Sequence, residues 1–133
     1  MVSYPCPVLQ QPDLHVVDDP AAVVAGLLAE QAGRGGSIVL TGGASVGRAN
    51  EQAARLEPDW SRVTLWWGDE RCVPPEDELS NYRLAKETLL DRVAVAPQTV
   101  HRMRGELDPA AAADEYDAAL EGVELQLLLL GLG

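Results

Sequence analysis

Two short apolar runs constrain the fold of this chain more than any other feature. Residues 37–40 are Ser-Ile-Val-Leu, and residues 63–67 are Val-Thr-Leu-Trp-Trp. Unbroken apolar runs of this length are typical of strands that are covered on both faces, as in parallel sheets. Strand-like and helix-like segments alternate along the rest of the chain. The sequence therefore predicts an α/β fold, a three-layer sandwich around a mostly parallel, Rossmann-like sheet. The pattern leaves the strand order open.

Capping residues indicate where the helices begin and end. Asp and Ser side chains accept hydrogen bonds from the free N–H groups of a first turn, proline suits the first helical position, and glycine suits the end. The predicted helices start at Asp18 or Asp19 and end at Gly33 or Gly35, run from residue 46 to residue 56, start at Ser80, and run from Asp108 to near Gly122.

Three further segments are predicted to be extended. Residues 14–17 form a short strand candidate that contains His15, which is interpreted as a core or edge residue. Residues 99–103 form another extended piece, and residues 125–130 form the last strand. The run of leucines in that last segment indicates a central strand of the sheet.

Composition limits the classes of partner. The 133 residues, 47% of them hydrophobic, fit one domain with a packed core. A net charge of −11 argues against nucleic acid or an anionic membrane as a partner, but a local arginine or a helix N-terminus can still bind a small anion. The two cysteines, Cys6 and Cys72, are interpreted as reduced thiols. No signal peptide and no apolar stretch near the roughly 18 residues of a bilayer span is visible, so the sequence predicts a cytoplasmic location.

A glycine turn follows the first buried run. Residues 41–45 are Thr-Gly-Gly-Ala-Ser, and glycines between a strand and a helix let a ligand approach free N–H groups at the helix N-terminus. Hydroxyls of Thr41 and Ser45 are suited to complete a phosphate cradle, with Arg48 about one turn into the helix. The dinucleotide fingerprint and the Walker lysine are both absent. The alternative is that the turn needs glycine and the helix needs a serine cap, with no ligand involved.

An acidic and basic loop follows the second buried run. Residues 68–74 are Gly-Asp-Glu-Arg-Cys-Val-Pro, and parallel strands place this loop at the same sheet edge as the glycine turn. Arg71 is suited to bind a carboxylate, a phosphate or a developing oxyanion, and Asp69 is suited to orient water or a base. The alternative is a salt-bridged loop whose charges neutralise one another and cap the helix at Ser80.

Together these segments resemble the 6-phosphogluconolactonase family, within the glucosamine/galactosamine-6-phosphate isomerase superfamily. The resemblance rests on the glycine turn, on residues 67–74, on Ser-Asn-Tyr at residues 80–82, and on Leu-Leu-Leu-Gly-Leu-Gly at residues 128–133. The glycine turn alone is shared with the isomerases, whereas the second and third motifs are specific to the lactonases. The resemblance covers nearly the whole chain and about the N-terminal half of a typical member, which makes residues 1–133 a single, incomplete domain.

The resemblance implies hydrolysis of 6-phosphoglucono-1,5-lactone to 6-phosphogluconate, in the oxidative pentose phosphate pathway. It implies no organic cofactor and no metal, and a sugar-phosphate lactone as the small-molecule partner. The site residues that it implies are Gly42, Gly43 and Ser45 for the sugar phosphate, Asp69 and Arg71 for the active-site loop, and Asn81 and Tyr82 for the support of that loop.

The chain departs from the family pattern at three places. Residues 44–46 are Ala-Ser-Val where the family usually has Ser-Thr-Pro, and residues 125–126 are Leu-Gln where it often has Phe-Asp. After Gly-Leu-Gly the family continues into an Asp-Gly-His segment that supplies the general-base histidine. His15 lacks that context, and so does His101, which is predicted to be exposed.

The expectation for these 133 residues alone is therefore negligible lactonase activity and poor stability. Two alternatives stay open, a non-catalytic remnant that binds sugar phosphates and an isomerase like glucosamine-6-phosphate deaminase. The oligomeric state is also open.

Overall fold

The fold is given by a computed structural model that describes residues 11–131. In chain order its elements are α1 (Pro20–Arg34), β1 (Gly36–Leu40), α2 (Ala44–Leu56), β2 (Val63–Trp67), α3 (Asn81–Ala85), β3 (Thr99–Val100), α4 (Pro109–Leu120) and β4 (Leu127–Leu128). A π-helical turn, Lys86–Leu90, extends α3. None of the helices within residues 11–131 is long and apolar enough to cross a membrane.

The described strands form one parallel sheet in the order β3-β2-β1-β4. β1 and β2 pair over their full lengths, from Gly36 opposite Val63 to Leu40 opposite Trp67. β4 pairs with the other side of β1. β2 and β3 are thus added in turn on one side of β1, and β4 is added on its other side. The order of strands therefore reverses between β3 and β4.

Helices cover both faces of the sheet, as the predicted sandwich requires. Alternate residues of β1 and β2 point to opposite faces. The larger cluster of buried residues combines one face of β1 and β2 with α1, α2 and the α3 region. The smaller cluster contains Val39, Trp66 and Tyr116, so α4 covers the second face. The predicted α/β fold class is confirmed.

The capping residues act as the sequence predicts. Asp19 accepts a hydrogen bond from the N–H of Ala22 at 3.2 Å, and Pro20 is the first residue of α1. Ser80 and Asp108 accept the corresponding bonds at the starts of α3 and α4. Gly35 ends α1 with a φ of 84°, a left-handed conformation that favours glycine.

Several expectations about the extended segments were wrong. Residues 14–17 form no strand, and Leu14 and Val16 are 87% and 90% exposed, because this run pairs with no strand of the described sheet. β3 is only two residues long. β4, expected over residues 125–130, is also only two residues long, and it lies at the edge of the sheet within the described residues. α2 also begins at Ala44, two residues earlier than predicted.

A tyrosine from α4 explains why β3 is so short. The N–H of His101 still donates to the carbonyl of Leu65 at 2.8 Å, in continuation of the ladder. The next rung would join the N–H of Trp67 to the carbonyl of His101. Instead the hydroxyl of Tyr116 lies between them, accepting from Trp67 at 2.8 Å and donating to His101 at 3.0 Å. The inserted hydroxyl replaces the rung and ends the strand.

Candidate functional site

A cleft of about 670 Å³ opens at the carboxyl ends of β1, β2 and β4. Since β1 lies between the other two strands, the loops that follow all three strands are neighbours. This is also where the order of the sheet reverses, and ligands of open α/β sheets bind at such positions. The cleft is lined by Thr41, Gly42, Gly43, Ala44, Ser45, Val46, Gly68, Asp69, Arg71, Leu129, Leu130 and Gly131.

The two glycines of the turn after β1 serve different structural needs. Gly43 has a φ of 108°, and a Cβ atom there would meet nothing within 4 Å. Gly42 has no positive φ, but a Cβ atom there would lie 2.1 Å from Oδ1 of Asn81. Gly43 therefore provides a backbone conformation on the open side of the turn. Gly42 provides the close approach of the turn to the start of α3.

The N-terminus of α2 opens on the cleft without a side-chain cap. Gly43 occupies the cap position, and Ser45 lies inside the helix rather than at its cap. Among the described residues, no acceptor takes the N–H groups of Ala44, Ser45 or Val46. Free N–H groups and the helix dipole together favour an anion at this position. The serine cap of the ligand-free alternative is therefore not found.

Two hydrogen bonds tie the glycine turn and α3 to the loop after β2. The hydroxyl of Thr41 donates to Oδ1 of Asp69 at 3.3 Å, and the side-chain amide of Asn81 donates to the carbonyl of Asp69 at 3.1 Å. Asn81 is buried, whereas Asp69 is exposed to the cleft. The structure thus brings the carboxylate of Asp69 to the glycine turn and fixes its main chain from behind.

Glu70 turns away from the cleft and binds the start of α3. Its carboxylate accepts from the N–H of Arg71 at 2.8 Å and of Asn81 at 2.7 Å, and from the hydroxyl of Ser80 and the N–H of Tyr82, both at 3.0 Å. This part of the alternative interpretation, a charge that caps the helix, is correct for Glu70.

Arg71 behaves differently from Glu70. Its side chain is exposed, lines the cleft, and has no carboxylate within ion-pair distance in residues 11–131. It also borders a smaller apolar cavity of about 200 Å³ between the loop and α4. Within the described residues, the charges of the loop therefore do not neutralise the Arg71 guanidinium.

The structure does not bring every candidate residue into the cleft. Arg48 is outside it, where its guanidinium lies 3.6 Å from Oδ1 of Asp19. The ring of Tyr82 packs edge-on against Trp67, with centroids 5.5 Å apart, and Arg102 lies over its face. Tyr82 thus contacts the core beneath the loop but does not line the cleft.

Both histidines lie outside the cleft. His15 is exposed on residues 14–17, so its predicted place in a strand was wrong. His101 was predicted to be exposed, but it is half-buried and stacks on Trp66, with ring centroids 4.0 Å apart. The cause of this burial is a long-range contact between two aromatic rings.

Two residues near the site were missed by sequence reasoning. A Cβ atom on Gly105 would lie 2.1 Å from the carbonyl of Arg71, so this glycine lets a distant segment support the loop. Tyr116 supports the end of β2, and burial raises its pKa above the ordinary value of 10.0 although the bond from Trp67 acts in the opposite direction. Neither residue stands in a local pattern that could have identified it.

Within the described part of the chain, no three His, Cys, Asp or Glu side chains are grouped closely enough to hold a metal ion.

Comparison with known proteins places the sequence among sugar-phosphate enzymes. The family described as "Glucosamine-6-phosphate isomerases/6-phosphogluconolactonase" matches residues 15–133. The chain is 32% identical to a 6-phosphogluconolactonase of Treponema pallidum over 90% of this chain and 56% of the relative. It is 35% identical to a 6-phosphogluconolactonase of Streptomyces coelicolor over 85% of this chain and 51% of the relative.

Solved structures give the same result for the fold. The crystal structure of 6-phosphogluconolactonase from Thermotoga maritima superposes with a TM-score of 0.73 at 26% identity, over 89% of this chain and 58% of that one. The chain thus spans about half the length of the curated relatives it matches.

Proposed function

The chain belongs to the glucosamine-6-phosphate isomerase/6-phosphogluconolactonase family, and from that membership we propose that its cleft serves the hydrolysis of 6-phosphoglucono-1,5-lactone to 6-phosphogluconate. The observation that carries the proposal is the meeting of two kinds of group in one cleft. N–H groups of α2 without a side-chain cap lie on one side, and Asp69 lies on the other with Arg71, which has no ion-pair partner within residues 11–131. A phosphorylated lactone needs both an anion site and groups that act on an ester carbonyl.

The phosphate is proposed to bind at the glycine turn. Gly43 leaves open space where a side chain would otherwise stand, so phosphate oxygens can approach the N–H groups that follow it. The hydroxyl of Ser45, which is exposed in the first turn of α2, is proposed to donate a further hydrogen bond. Arg48 is left out of this site because it pairs with Asp19. The net charge of −11 favours such a small ligand over nucleic acid as the partner.

The reaction itself adds water to the lactone carbonyl and then breaks the bond between the carbonyl carbon and the ring oxygen. Negative charge develops on the carbonyl oxygen during the addition, and the ring oxygen takes a proton as it leaves. A guanidinium suits an oxyanion or a carboxylate because its planar fork donates two parallel hydrogen bonds. Arg71 is proposed to hold or stabilise that charge, and Asp69 is proposed to orient the attacking water or the base that activates it.

A second candidate function is sugar-phosphate binding without hydrolysis. The observation that favours it is the position of His15 and His101, both outside the cleft. The other alternative, an isomerase like glucosamine-6-phosphate deaminase, is disfavoured because the loop at residues 68–74 resembles that of the lactonases.

Steady-state kinetics with matched substrates test the proposal. The natural protein is assayed with 6-phosphogluconolactone, with unphosphorylated gluconolactone and with glucosamine 6-phosphate, each against a buffer blank because the lactones hydrolyse spontaneously. We expect a much higher kcat/KM for the phosphorylated lactone and no release of ammonia from the amino sugar. Equal kcat/KM values for the two lactones would contradict the phosphate site, and binding without turnover would favour the second candidate.

A further inference from the structure

Glu70 is the most heavily hydrogen-bonded side chain near the cleft, although it contributes nothing to the wall of the cleft itself. Oε1 accepts from the main-chain N–H groups of Arg71 and Asn81, and Oε2 accepts from the N–H of Tyr82 and the hydroxyl of Ser80. Its carboxylate therefore joins the loop after β2 to the first turn of α3.

The arrangement accepts a carboxylate and no other common side chain. Each oxygen of Glu70 faces a main-chain N–H group, which can only donate. A glutamine would place its NH₂ group against one of these donors in either orientation. An aspartate would be one methylene too short to reach all of them. Burying a donor without an acceptor is costly, so neither replacement preserves the contacts.

The bonds made by Glu70 act on the two residues proposed for chemistry. One bond fixes the main-chain N–H of Arg71, a residue that lines the cleft. Another fixes the N–H of Asn81, whose side-chain amide donates to the carbonyl of Asp69. The same asparagine sits against Gly42 at the glycine turn. The position of Asp69 and Arg71 relative to the turn thus depends on one connected set of hydrogen bonds, three of them part-buried.

We propose that Glu70 is a positioning residue, which holds Asp69 and Arg71 in register with the glycine turn without touching the substrate. This inference rests on the proposed function, because the distance from Asp69 and Arg71 to the glycine turn matters only if both sides of the cleft bind one ligand. A misplacement of about 1 Å can cost on the order of a hundredfold in rate. Glu70 therefore acts on kcat/KM through Arg71 and Asp69.

The simpler interpretation is that Glu70 only stabilises α3, and a matched control separates the two. Glu70→Gln is compared with Asp108→Ala, which removes the cap of α4 and no hydrogen bond to Asp69, Arg71 or the glycine turn. Both variants are expected to lower Tm. We expect Glu70→Gln alone to lower kcat/KM by about a hundredfold, with kcat and KM both changed. Equal kinetics in the two variants would overturn the positioning role.

Hydrogen exchange gives a readout that does not depend on lactonase activity. In Glu70→Gln, the amides of Arg71, Asn81 and Tyr82 should exchange roughly tenfold faster, because each loses its acceptor. The amides of β1 should exchange at the same rate in Glu70→Gln and in Asp108→Ala. If the wild-type protein lacks lactonase activity, the proposed function fails, and this exchange pattern still decides whether Glu70 fixes the loop. Unchanged exchange at these amides would overturn it. Should Glu70→Gln fail to fold, Glu70→Asp is measured in the same two ways, because it keeps the charge and shortens the reach.

Discussion

The glycine turn and the acid–arginine loop (residues 68–74) face each other across the cleft, but different forces shape them. The turn depends on its own backbone, with a φ of 108° at Gly43 and no side-chain cap on the helix that follows. The loop depends on residues far away in sequence, through the bonds of Glu70 to α3 and the close approach of Gly105. Local backbone conformation thus shapes the glycine turn, whereas tertiary contacts shape the loop.

The contact between the two regions lies behind the cleft. Asn81 bonds the carbonyl of Asp69 and at the same time occupies the space beside Gly42. The two glycines in the sequence are therefore enough to predict the turn, but the distance from the turn to Arg71 depends on the start of α3. Substitutions on each side of the cleft should therefore have distinguishable effects.

The largest effect is expected at Arg71. Arg71→Lys keeps the charge but loses the planar fork, and the loss of such a contact typically costs about 2–4 kcal/mol of transition-state stabilisation. Initial-rate kinetics on the phosphorylated lactone should show this loss in kcat/KM with an unchanged Tm. Arg34→Lys is the matched control, because Arg34 makes an exposed ion pair on α1. A normal kcat and KM for Arg71→Lys would show that the guanidinium has no role in the cleft.

The next effect separates the two glycines of the turn. Gly42→Ala would force its new methyl group into Oδ1 of Asn81, and overpacking of this kind typically costs about 1–3 kcal/mol of unfolding free energy. It should also weaken 6-phosphogluconate binding, although the methyl group points away from the ligand. Urea unfolding and isothermal titration measure the two quantities.

Gly26→Ala provides the control for that experiment. Gly26 lies inside α1 with open space around it, so alanine there should raise the unfolding free energy by about 0.5–1 kcal/mol. A Gly42→Ala protein as stable as wild type would contradict the close contact with Asn81.

A third effect tests the hydroxyl that ends β3. Tyr116→Phe leaves the buried N–H of Trp67 without its acceptor, and this should lower the unfolding free energy by about 1–3 kcal/mol. Tyr82→Phe, on the face of the sheet opposite α4, should change little.

The same tyrosine predicts a pH dependence. Burial raises the folded-state pKa of Tyr116 above 10.0, so the unfolded chain loses this proton first. The tyrosine's contribution to stability is complete below pH 10 and is lost as the pH rises through the folded-state pKa. Melting curves of wild type should therefore fall more steeply above pH 10 than those of Tyr116→Phe. Parallel curves would show that Tyr116 does not titrate differently in the two states.

The smallest effect concerns an ion pair below the loop. The Arg102 guanidinium lowers the pKa of Glu106 from 4.5 to about 2, and their closest atoms are 2.7 Å apart. Stability from this pair is present above pH 4.5 and is lost as the pH falls toward 2. Glu106→Gln should therefore melt slightly below wild type at pH 7 and together with it at pH 2. A difference that persists at pH 2 would point to packing rather than charge.

Sequence predicted the parts of the fold that depend on local chemistry. Asp19, Ser80 and Asp108 mark the helix starts because a short polar side chain can satisfy free N–H groups wherever it stands. The unbroken apolar runs of β1 and β2 identify buried strands because both faces are covered. The meeting of the loops after β1 and β2 at one edge was also predicted, since the two strands are parallel.

The remainder depends on contacts between distant segments, which no local pattern records. His101 was predicted to be exposed because its neighbours in sequence are polar, but its ring stacks on that of Trp66. The end of β3 depends on a hydroxyl from α4, 15 residues away from His101. Arg48 stands one turn into α2, as predicted, but Asp19 attracts its side chain away from the cleft.

The claim that the glycine turn and Arg71 bind one phosphorylated ligand is tested most directly by amide chemical shifts in the natural protein. 6-Phosphogluconate and gluconate are titrated separately, and the backbone amides of Gly43, Ala44, Ser45 and Val46 are followed together with the Nε–H of Arg71. The account predicts that 6-phosphogluconate shifts both sets at one affinity, whereas gluconate at the same concentrations leaves the turn amides unmoved. Equal responses to the two ligands, or shifts confined to other parts of the chain, would contradict it.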